Sequence, residues 1–330
     1  MKSFKVHYSS LSKFRSELMG IATLMIIICH ANAYGVSMPS VLSSICSYGN
    51  FGVDIFLLVS GIGLSFSLSK VDLRNRHDVT RWYCKRYLRI LVPYIIISLS
   101  ILPLKNYLAN GDWAMMLYNL STLSFWTHHQ SAWYVALLIP LYLLSPLFYK
   151  LSNALIIRKI AVGGVILAIL SQSLSMLLTS NDNEIWTNIT FCLCRTTSFF
   201  MGMALTPLVK SEKQINVLYV LLCFLPAYFL CHKIASHDTF QVLQTIPIVA
   251  ILVWLLEKVS KGNYFKKIIA WFGMISLESY LFNVYLNAFT KQIGLNSYLL
   301  VIISGIILSV IFHYLSENLI SKIKLIINLK

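Results

Sequence analysis

Charged residues are scarce in this sequence, and so are the signatures of soluble chemistry. Only 12% of the 330 residues are charged and only 12 residues are acidic, whereas 57% are hydrophobic. Soluble domains carry about twice that fraction of charge. The seven cysteines form no Cys-x-x-Cys pair, so neither a metal site nor a redox site is indicated. These absences exclude an ordinary soluble enzyme, and no metal ligands are predicted.

Long apolar runs fill the chain instead, each close to the roughly 20 residues that cross a bilayer core. No segment between them is long enough to form a separate soluble domain. We predict an all-α polytopic membrane protein, a single domain over residues 1–330, with about ten transmembrane helices. The predicted spans are 18–36, 51–69, 88–104, 131–149, 160–179, 187–206, 215–232, 240–257, 268–289 and 298–315.

The first apolar run also has features of a cleavable signal peptide. It follows Lys13 and Arg15, and it contains the small-residue pattern Ala31-Asn32-Ala33 that resembles a cleavage site. The run reaches Val36 if His30 is tolerated within it, which gives a spanning length. We therefore predict that it is retained as the first span.

The net charge of +15 comes from Lys and Arg residues in short tracts between the apolar runs. With a cytoplasmic N-terminus, all but four of the 27 fall on the cytoplasmic side: Lys105, Lys233 and Lys291 lie outside, and Arg195 lies within a span. This asymmetry is the positive-inside pattern, not the basic stripe of a nucleic-acid-binding protein. We predict that both termini are cytoplasmic and that the partner of the chain is the lipid bilayer, with no nucleic acid.

We single out four ionisable residues inside predicted spans, where such groups are costly and frequently functional: His30, Asp54, Arg195 and Glu278. His30 and Asp54 lie at similar depth in neighbouring antiparallel spans, so the carboxylate could orient the imidazole as a base. A His bonded to a backbone carbonyl, with Asp54 solvated, fits the spacing equally well. Arg195 and Glu278 indicate a polar cavity, with a structural ion pair for Arg195 and an interhelical hydrogen bond for Glu278 as the alternatives.

A basic cluster precedes the third predicted span. Lys85, Arg86 and Arg89 share a face if this segment is helical, so they could bind the phosphates of a ligand from the cytoplasm. Positive-inside anchoring explains basic residues at a helix mouth without any ligand, and the spacing alone favours this simpler interpretation.

Several motifs together resemble the membrane-bound acyltransferase family 3, bacterial enzymes that O-acylate carbohydrates. The resemblance rests on the order of the motifs over nearly the whole chain, because each motif alone has low specificity. The matching segments are 18–22 followed by His30, 51–56 (FGVDIF) running on to Ser60, 86–94, Trp133-Tyr134 with Tyr142 and Pro146, 198–202, 273–282 and Glu317.

The resemblance implies roles for His30, Arg86 and Arg89, and the pattern of polar residues adds the other candidates. His30 is the predicted catalytic base, and Asp54 is the second predicted catalytic residue. The predicted acyl-CoA-binding residues are Arg15, Lys85, Arg86 and Arg89, and the predicted cavity or substrate residues are Ser60, Trp133, Tyr134, Arg195, Ser276, Glu278 and Tyr280.

Two positions depart from the family pattern. Met19 stands where the family usually has Arg, and Arg15, one helical turn earlier, is the candidate replacement. Asn283 stands where the family often has His, which argues against a catalytic base at that position.

The resemblance implies an O-acyltransferase, and an O-acetyltransferase in the simplest case. It would move the acyl group from cytoplasmic acetyl-CoA, or another acyl-CoA, to a hydroxyl of a cell-surface polysaccharide such as O-antigen, or of its lipid-linked precursor. We expect a location in the bacterial inner membrane, no bound cofactor, and no appended extracytoplasmic hydrolase-like domain. A transporter or flippase for lipid-linked sugars is the alternative, because intramembrane charges in ten helices suit it equally. A membrane glycosyltransferase is disfavoured by the shortage of acidic residues.

Overall fold

The computed structural model describes residues 4–109, 111–128, 132–154, 184–222, 226, 241–259, 264–295 and 297–328. Nearly all of these residues are helical. The helices are α1 Ser10–Lys13, α2 Arg15–Ala33, α3 Ser40–Ser47, α4 Phe51–Leu68, α5 Arg76–Leu108, α6 Trp113–Leu120, α7 Leu123–His128, α8 Trp133–Ala154, α9 Glu184–Val209, α10 Val217–Leu222, α11 Gln241–Lys258, α12 Tyr264–Met274, α13 Ser276–Gln292 and α14 Tyr298–Ile326.

Two short strands are the exception to the predicted all-α fold. Strand β1, Lys5–His7, pairs antiparallel with β2, Gln214–Asn216, and Val6 lies opposite Ile215. Each strand has only three residues, so this ribbon leaves the helical class of the fold unchanged.

Five helical segments within the described residues are long and apolar enough to cross a membrane, and α12 with α13 counts as a sixth if that bent pair is one span. The five are Ser40–Leu68, Arg76–Leu108, Trp133–Leu151, Glu184–Val209 and Tyr298–Ile326. They overlap the predicted spans 51–69, 88–104, 131–149, 187–206 and 298–315. The chain is therefore a multi-pass membrane protein.

The remaining predicted spans have different outcomes. Helix α2 forms where 18–36 was predicted, and α11 forms where 240–257 was predicted. The span 160–179 and half of 215–232 lie outside the described residues, and the described part of the latter contains β2 and the short helix α10. A total of ten spans, the cytoplasmic location of the termini and the single-domain organisation stay predictions.

Helix α5 begins at Arg76, well before the predicted start of its span near residue 88. Asn75 caps it, because the side-chain oxygen accepts a hydrogen bond of 3.0 Å from the backbone N–H of His77. The cap satisfies one of the N–H groups that a helix start leaves without an intrahelical partner. The basic cluster at residues 85–89 therefore lies inside a helix and not at its mouth.

The described residues divide into two compact units. The first comprises those within Met1–Leu24, Asn50–Lys70 and Leu144–Met274, and the second those within Met25–Gly49, Val71–Leu143 and Ile275–Lys330. Helix α2 contributes its first half to the first unit and its second half, which carries His30, to the second.

Close packing of α4 against α9 forms the centre of the first compact unit. A methyl group on Gly61 would overlap the carbonyl oxygen of Phe199, and one on Gly202 would overlap that of Leu58. Small residues allow helix backbones in membranes to approach this closely. The most apolar stretch of the segment containing α4 is 83% buried, so this helix lies inside its unit.

In the second compact unit α13 packs against both α5 and α14. The most apolar stretch of α14 is only 22% buried. Its exposed side chains include Leu299, Ile303, Ile307 and Ile311, which recur every four residues and form an apolar stripe suited to lipid. Helix α13 instead buries polar side chains, among them Glu278, and is the helix around which the polar contacts of this unit are arranged.

Candidate active site

His30 lies in the last turn of α2, and a side chain of α13 holds its imidazole. Nδ1 of His30 is 2.6 Å from Oδ1 of Asn283. Asn283 is almost completely buried, whereas His30 is only partly buried. An amide held inside the protein therefore orients a ring that is still accessible.

A chain of hydrogen bonds determines which nitrogen of His30 carries the proton. The carbonyl oxygen of Ile27 can only accept, so the Tyr298 hydroxyl, 2.7 Å away, donates to it. The hydroxyl oxygen in turn accepts from Nδ2 of Asn283 at 2.9 Å. Oδ1 of Asn283 then faces the imidazole, so Nδ1 of His30 is the donor.

The neutral imidazole therefore has its lone pair on Nε2. An imidazole in this tautomer can take a proton from a hydroxyl, or can attack an acyl carbon as a nucleophile. Because Ile27 precedes His30 by one turn of α2, the chain of hydrogen bonds begins and ends on the same helix and joins it to α13 and α14. We call Ile27, His30, Asn283 and Tyr298 the His30 network.

A cavity of about 650 Å³ lies next to the His30 network in the second compact unit. Tyr34 connects the two: its ring centroid is 5.4 Å from that of His30 and 5.2 Å from that of Tyr298. The cavity is within the size range of small-molecule sites and is concave. The described residues that line it are Ala31, Tyr34, Gly35, Val36, Asn287, Lys291, Leu295, Ser297, Tyr298, Leu299 and Ile302.

The predicted pairing of His30 with Asp54 is corrected by these contacts. Asp54 belongs to the first compact unit, where its carboxylate forms a salt bridge with Nη1 of Arg195 and accepts a 2.6 Å hydrogen bond from the Ser198 hydroxyl. Both charged side chains are fully buried. A buried carboxylate needs a cation and hydrogen-bond donors, and a guanidinium supplies both where a neutral imidazole cannot. Asn283 thus occupies the orienting position predicted for Asp54.

Arg195 was predicted to line a polar cavity, and its observed surroundings favour the alternative, a structural ion pair. Besides the salt bridge to Asp54, its Nη2 donates a hydrogen bond of 3.1 Å to Oδ1 of Asn50. Ser60, another predicted cavity residue, is buried in α4 of the same unit. The predicted roles of Asp54, Arg195 and Ser60 in a reaction stay predictions.

Glu278 forms the interhelical hydrogen bond that was its alternative role. Nδ1 of His313, on α14, lies 3.1 Å from a carboxylate oxygen of Glu278, and both side chains are largely buried. Ser276 is buried two residues earlier on α13. Sequence reasoning missed His313, although an ionisable side chain inside an apolar run was the signal that marked His30.

Three aromatic residues with predicted cavity roles do lie together in the second compact unit. The ring centroids of Tyr134 and Tyr280 are 5.5 Å apart, and those of Trp133 and Tyr134 are 6.0 Å apart. The backbone N–H of Tyr134 is 3.4 Å from the Tyr280 hydroxyl, which accepts from it. The structure therefore groups the predicted Trp-Tyr segment with the α13 motif.

The predicted acyl-CoA-binding residues fall in both compact units. Lys85, Arg86 and Arg89 follow one another along α5 in the second unit, where Lys85 and Arg86 are partly buried and Arg89 is exposed. Arg15 begins α2 in the first unit, and its guanidinium packs against Gly63. Their contact with a ligand stays a prediction.

Tyrosines interleaved with the basic cluster attach that part of α5 to α8. The hydroxyl of Tyr83 donates to the carbonyl of Leu143 at 2.7 Å, and that of Tyr87 donates to the carbonyl of Ile139 at 2.9 Å. The segment that presents the basic side chains is therefore held in a defined orientation within the second compact unit.

Comparison with known proteins shows which family the chain matches. A family model described as an acyltransferase domain matches residues 18–316, which include every member of the His30 network and the Asp54–Arg195 pair. No curated protein and no solved structure matches the chain.

Proposed function

The chain belongs to this acyltransferase family, and we propose that it is an O-acyltransferase that moves an acetyl group from acetyl-CoA to a hydroxyl of a glycan or lipid-linked glycan. The observation that carries this proposal is the His30 network, whose hydrogen bonds leave Nε2 of His30 as the proton acceptor. A general base held in one orientation is what activation of a sugar hydroxyl requires.

In the proposed reaction the acceptor occupies the cavity beside Tyr34 and presents a hydroxyl to His30. Nε2 takes the hydroxyl proton as the oxygen attacks the thioester carbonyl of acetyl-CoA. The new C–O bond forms, the C–S bond breaks, and the proton passes from His30 to the departing CoA thiolate. In a two-step variant Nε2 itself attacks the thioester and the C–S bond breaks, so that CoA leaves as the thiolate. The sugar hydroxyl then attacks the acetyl-imidazole, the N–C bond breaks, and the hydroxyl proton passes to the released Nε2.

The donor is proposed to enter from the cytoplasm of a bacterial cell, with the protein in the inner membrane. The phosphates of CoA would contact Arg86 and Arg89, with Lys85 and Arg15 as further contacts, since guanidinium groups bind phosphates bidentately. The attachment of α5 to α8 through Tyr83 and Tyr87 supports this role, because it holds the basic residues in place before a ligand arrives.

Radiolabelled acetyl-CoA and purified protein in lipid nanodiscs would test the proposal. Thioester consumption and transfer of label to a panel of bacterial glycans would be measured for wild type, His30→Ala and His77→Ala, a control at an exposed histidine. We expect His30→Ala to abolish both activities and His77→Ala to change neither.

A His30→Ala protein that transfers label at nearly the wild-type rate would contradict the proposed role of His30. A wild-type protein that neither consumes acetyl-CoA nor labels any glycan would contradict the proposed activity. That second result would favour transport of lipid-linked sugars.

A further inference from the structure

Lys291 is the one charged residue among the described residues that line the cavity beside the His30 network. The other described lining residues are apolar, aromatic or neutral polar. Lys291 is exposed, so its ammonium group is accessible to a ligand that enters the cavity, and an ammonium group pairs with carboxylate or phosphate. The cavity therefore favours a ligand that carries negative charge.

Lys291 is held close to the reactive ring by an aromatic contact. Its ammonium group lies 5.4 Å from the centre of the Tyr34 ring, a cation–π geometry. The same ring is the neighbour of His30. A group bound by Lys291 and a hydroxyl presented to His30 would thus both lie close to Tyr34.

The turn that carries Lys291 is anchored at the end of α13. Nε2 of Gln292 donates a 3.1 Å hydrogen bond to the carbonyl of Lys105, at the end of α5. Asn287, one turn before Lys291, is largely buried and lines the cavity together with Ser297. These two polar side chains offer hydrogen bonds to sugar hydroxyls next to the ammonium group.

Membrane topology does not account for a lysine at this position. The positive-inside pattern places 23 Lys and Arg residues on the cytoplasmic side, and Lys291 is one of only three predicted on the other side. A basic residue that departs from this pattern needs a specific explanation. Because Lys291 lies in a cavity beside the His30 network, a ligand-binding role is such an explanation.

We infer that this cavity is a subsite for an acidic sugar, one that bears a carboxylate or a phosphate, and that Lys291 is the residue that selects it. The inference rests on the proposed function and deepens it, since it names the acceptor class at the same site. Lys291 binds the anionic group, and the sugar hydroxyl that receives the acyl group faces His30.

Binding without acetyl-CoA tests the inference separately from the activity. Methyl glucuronide, glucose 6-phosphate and methyl glucoside would be titrated by calorimetry into the protein in nanodiscs of zwitterionic lipid. We expect either acidic sugar to bind about tenfold more tightly than the neutral one, a difference of about 1.4 kcal/mol. Lys291→Met should abolish this preference and Lys291→Glu should reverse it.

Lys105→Met is the matched control, because Lys105 is also predicted outside but does not line the cavity. It should bind like wild type, and thermal unfolding would verify that all variants are folded. Equal binding of acidic and neutral sugars by wild type, or an unchanged preference in Lys291→Met, would overturn the inference. A Lys291-dependent affinity for anionic lipid, with none for the acidic sugars, would also overturn it and identify Lys291 as a lipid anchor.

The two proposals can fail separately. Lys291-dependent binding of acidic sugars in a protein without acetyl-CoA turnover would leave the subsite intact and remove the proposed function. Acetyl transfer to neutral glycans alone would support the proposed function and remove the subsite.

Discussion

Asn283 holds His30 through its carbonyl oxygen, which lies 2.6 Å from Nδ1 of the imidazole. The orienting group is therefore a neutral amide and not a carboxylate. Its other end is occupied by the hydroxyl of Tyr298, so the amide cannot turn over without breaking that contact. In the proposed reaction this geometry makes Asn283 a positioning residue that acts through His30.

Replacing Asn283 with Ala should lower kcat about 10- to 100-fold, the usual effect of losing a group that orients a reacting side chain. The KM for the acceptor should change little, because Asn283 is not among the described residues that line the cavity. Steady-state kinetics with acetyl-CoA and an acceptor that the wild type uses would measure both constants.

Asn283→Asp is the conservative comparison for this position. A carboxylate oxygen can still accept from Nδ1 of His30, so this variant should retain more activity than Asn283→Ala. Equal losses in the two variants would mean that Asn283 acts through helix packing and not through its oxygen.

Tyr298→Phe should have a smaller effect than loss of Asn283. Without the hydroxyl, the amide of Asn283 loses the contact that determines which end faces His30, and the carbonyl of Ile27 loses its donor. We expect the rate to fall several-fold and the free energy of unfolding to fall by about 1 kcal/mol. Acetyl transfer and unfolding in mixed micelles would be measured on the same preparations.

Tyr285→Phe provides a matched control on α13. The Tyr285 hydroxyl accepts a buried hydrogen bond of 3.1 Å from Ser98, away from the His30 network. Its loss should cost similar stability and leave the rate unchanged. A rate loss as large as that of Tyr298→Phe would show that the defect reflects general loosening of the unit.

The membrane class could be predicted from the sequence, and His30 could be singled out as a candidate, because both steps depend on local properties. Apolar run length determines whether a helix can span a bilayer, and an ionisable residue within such a run is costly wherever its partner lies. The resemblance to acyltransferase family 3, drawn from the motifs, is confirmed by the family match over residues 18–316.

The partners of these residues could not be predicted in the same way. Depth along a span says nothing about the rotation of the helix, so the similar depths of His30 and Asp54 gave no information about which side chains meet. Tyr298 was not singled out because a Tyr at the end of a span is an ordinary interfacial residue. It joins the His30 network only because α14 lies against α13, a contact between distant parts of the chain.

The close contact between α4 and α9 predicts strong intolerance at Gly202. A methyl group there would overlap the carbonyl oxygen of Leu58, and backbone atoms of two packed helices cannot move aside as a flexible side chain can. Gly202→Ala should therefore reduce the yield of monodisperse protein in size-exclusion chromatography.

Gly305→Ala is the matched control in α14. The nearest atoms to its added methyl group are side-chain carbons of Leu286 and Phe282 at 3.9 Å, an ordinary van der Waals distance. This variant should elute like wild type. If Gly202→Ala also did so, α4 and α9 would be packed less tightly than the structure indicates.

The buried pair of Asp54 and Arg195 predicts a strongly non-additive mutant cycle. Asp54→Leu leaves a buried guanidinium without its counter-ion, and Arg195→Met leaves a buried carboxylate, so each should lower the free energy of unfolding by about 3–5 kcal/mol. The double variant removes both charges and should be more stable than either single variant. Unfolding in mixed micelles would measure the three differences.

Ser198→Ala is the milder comparison, since it removes one neutral donor from Asp54 and should cost about 1 kcal/mol. The acetyl-transfer rate of the double variant decides between the two roles considered for the pair. A folded double variant that keeps the His30-dependent rate would make the pair structural, because its charges would then be dispensable for the reaction. A folded double variant without activity would instead support the catalytic role predicted for Asp54 and the cavity role predicted for Arg195.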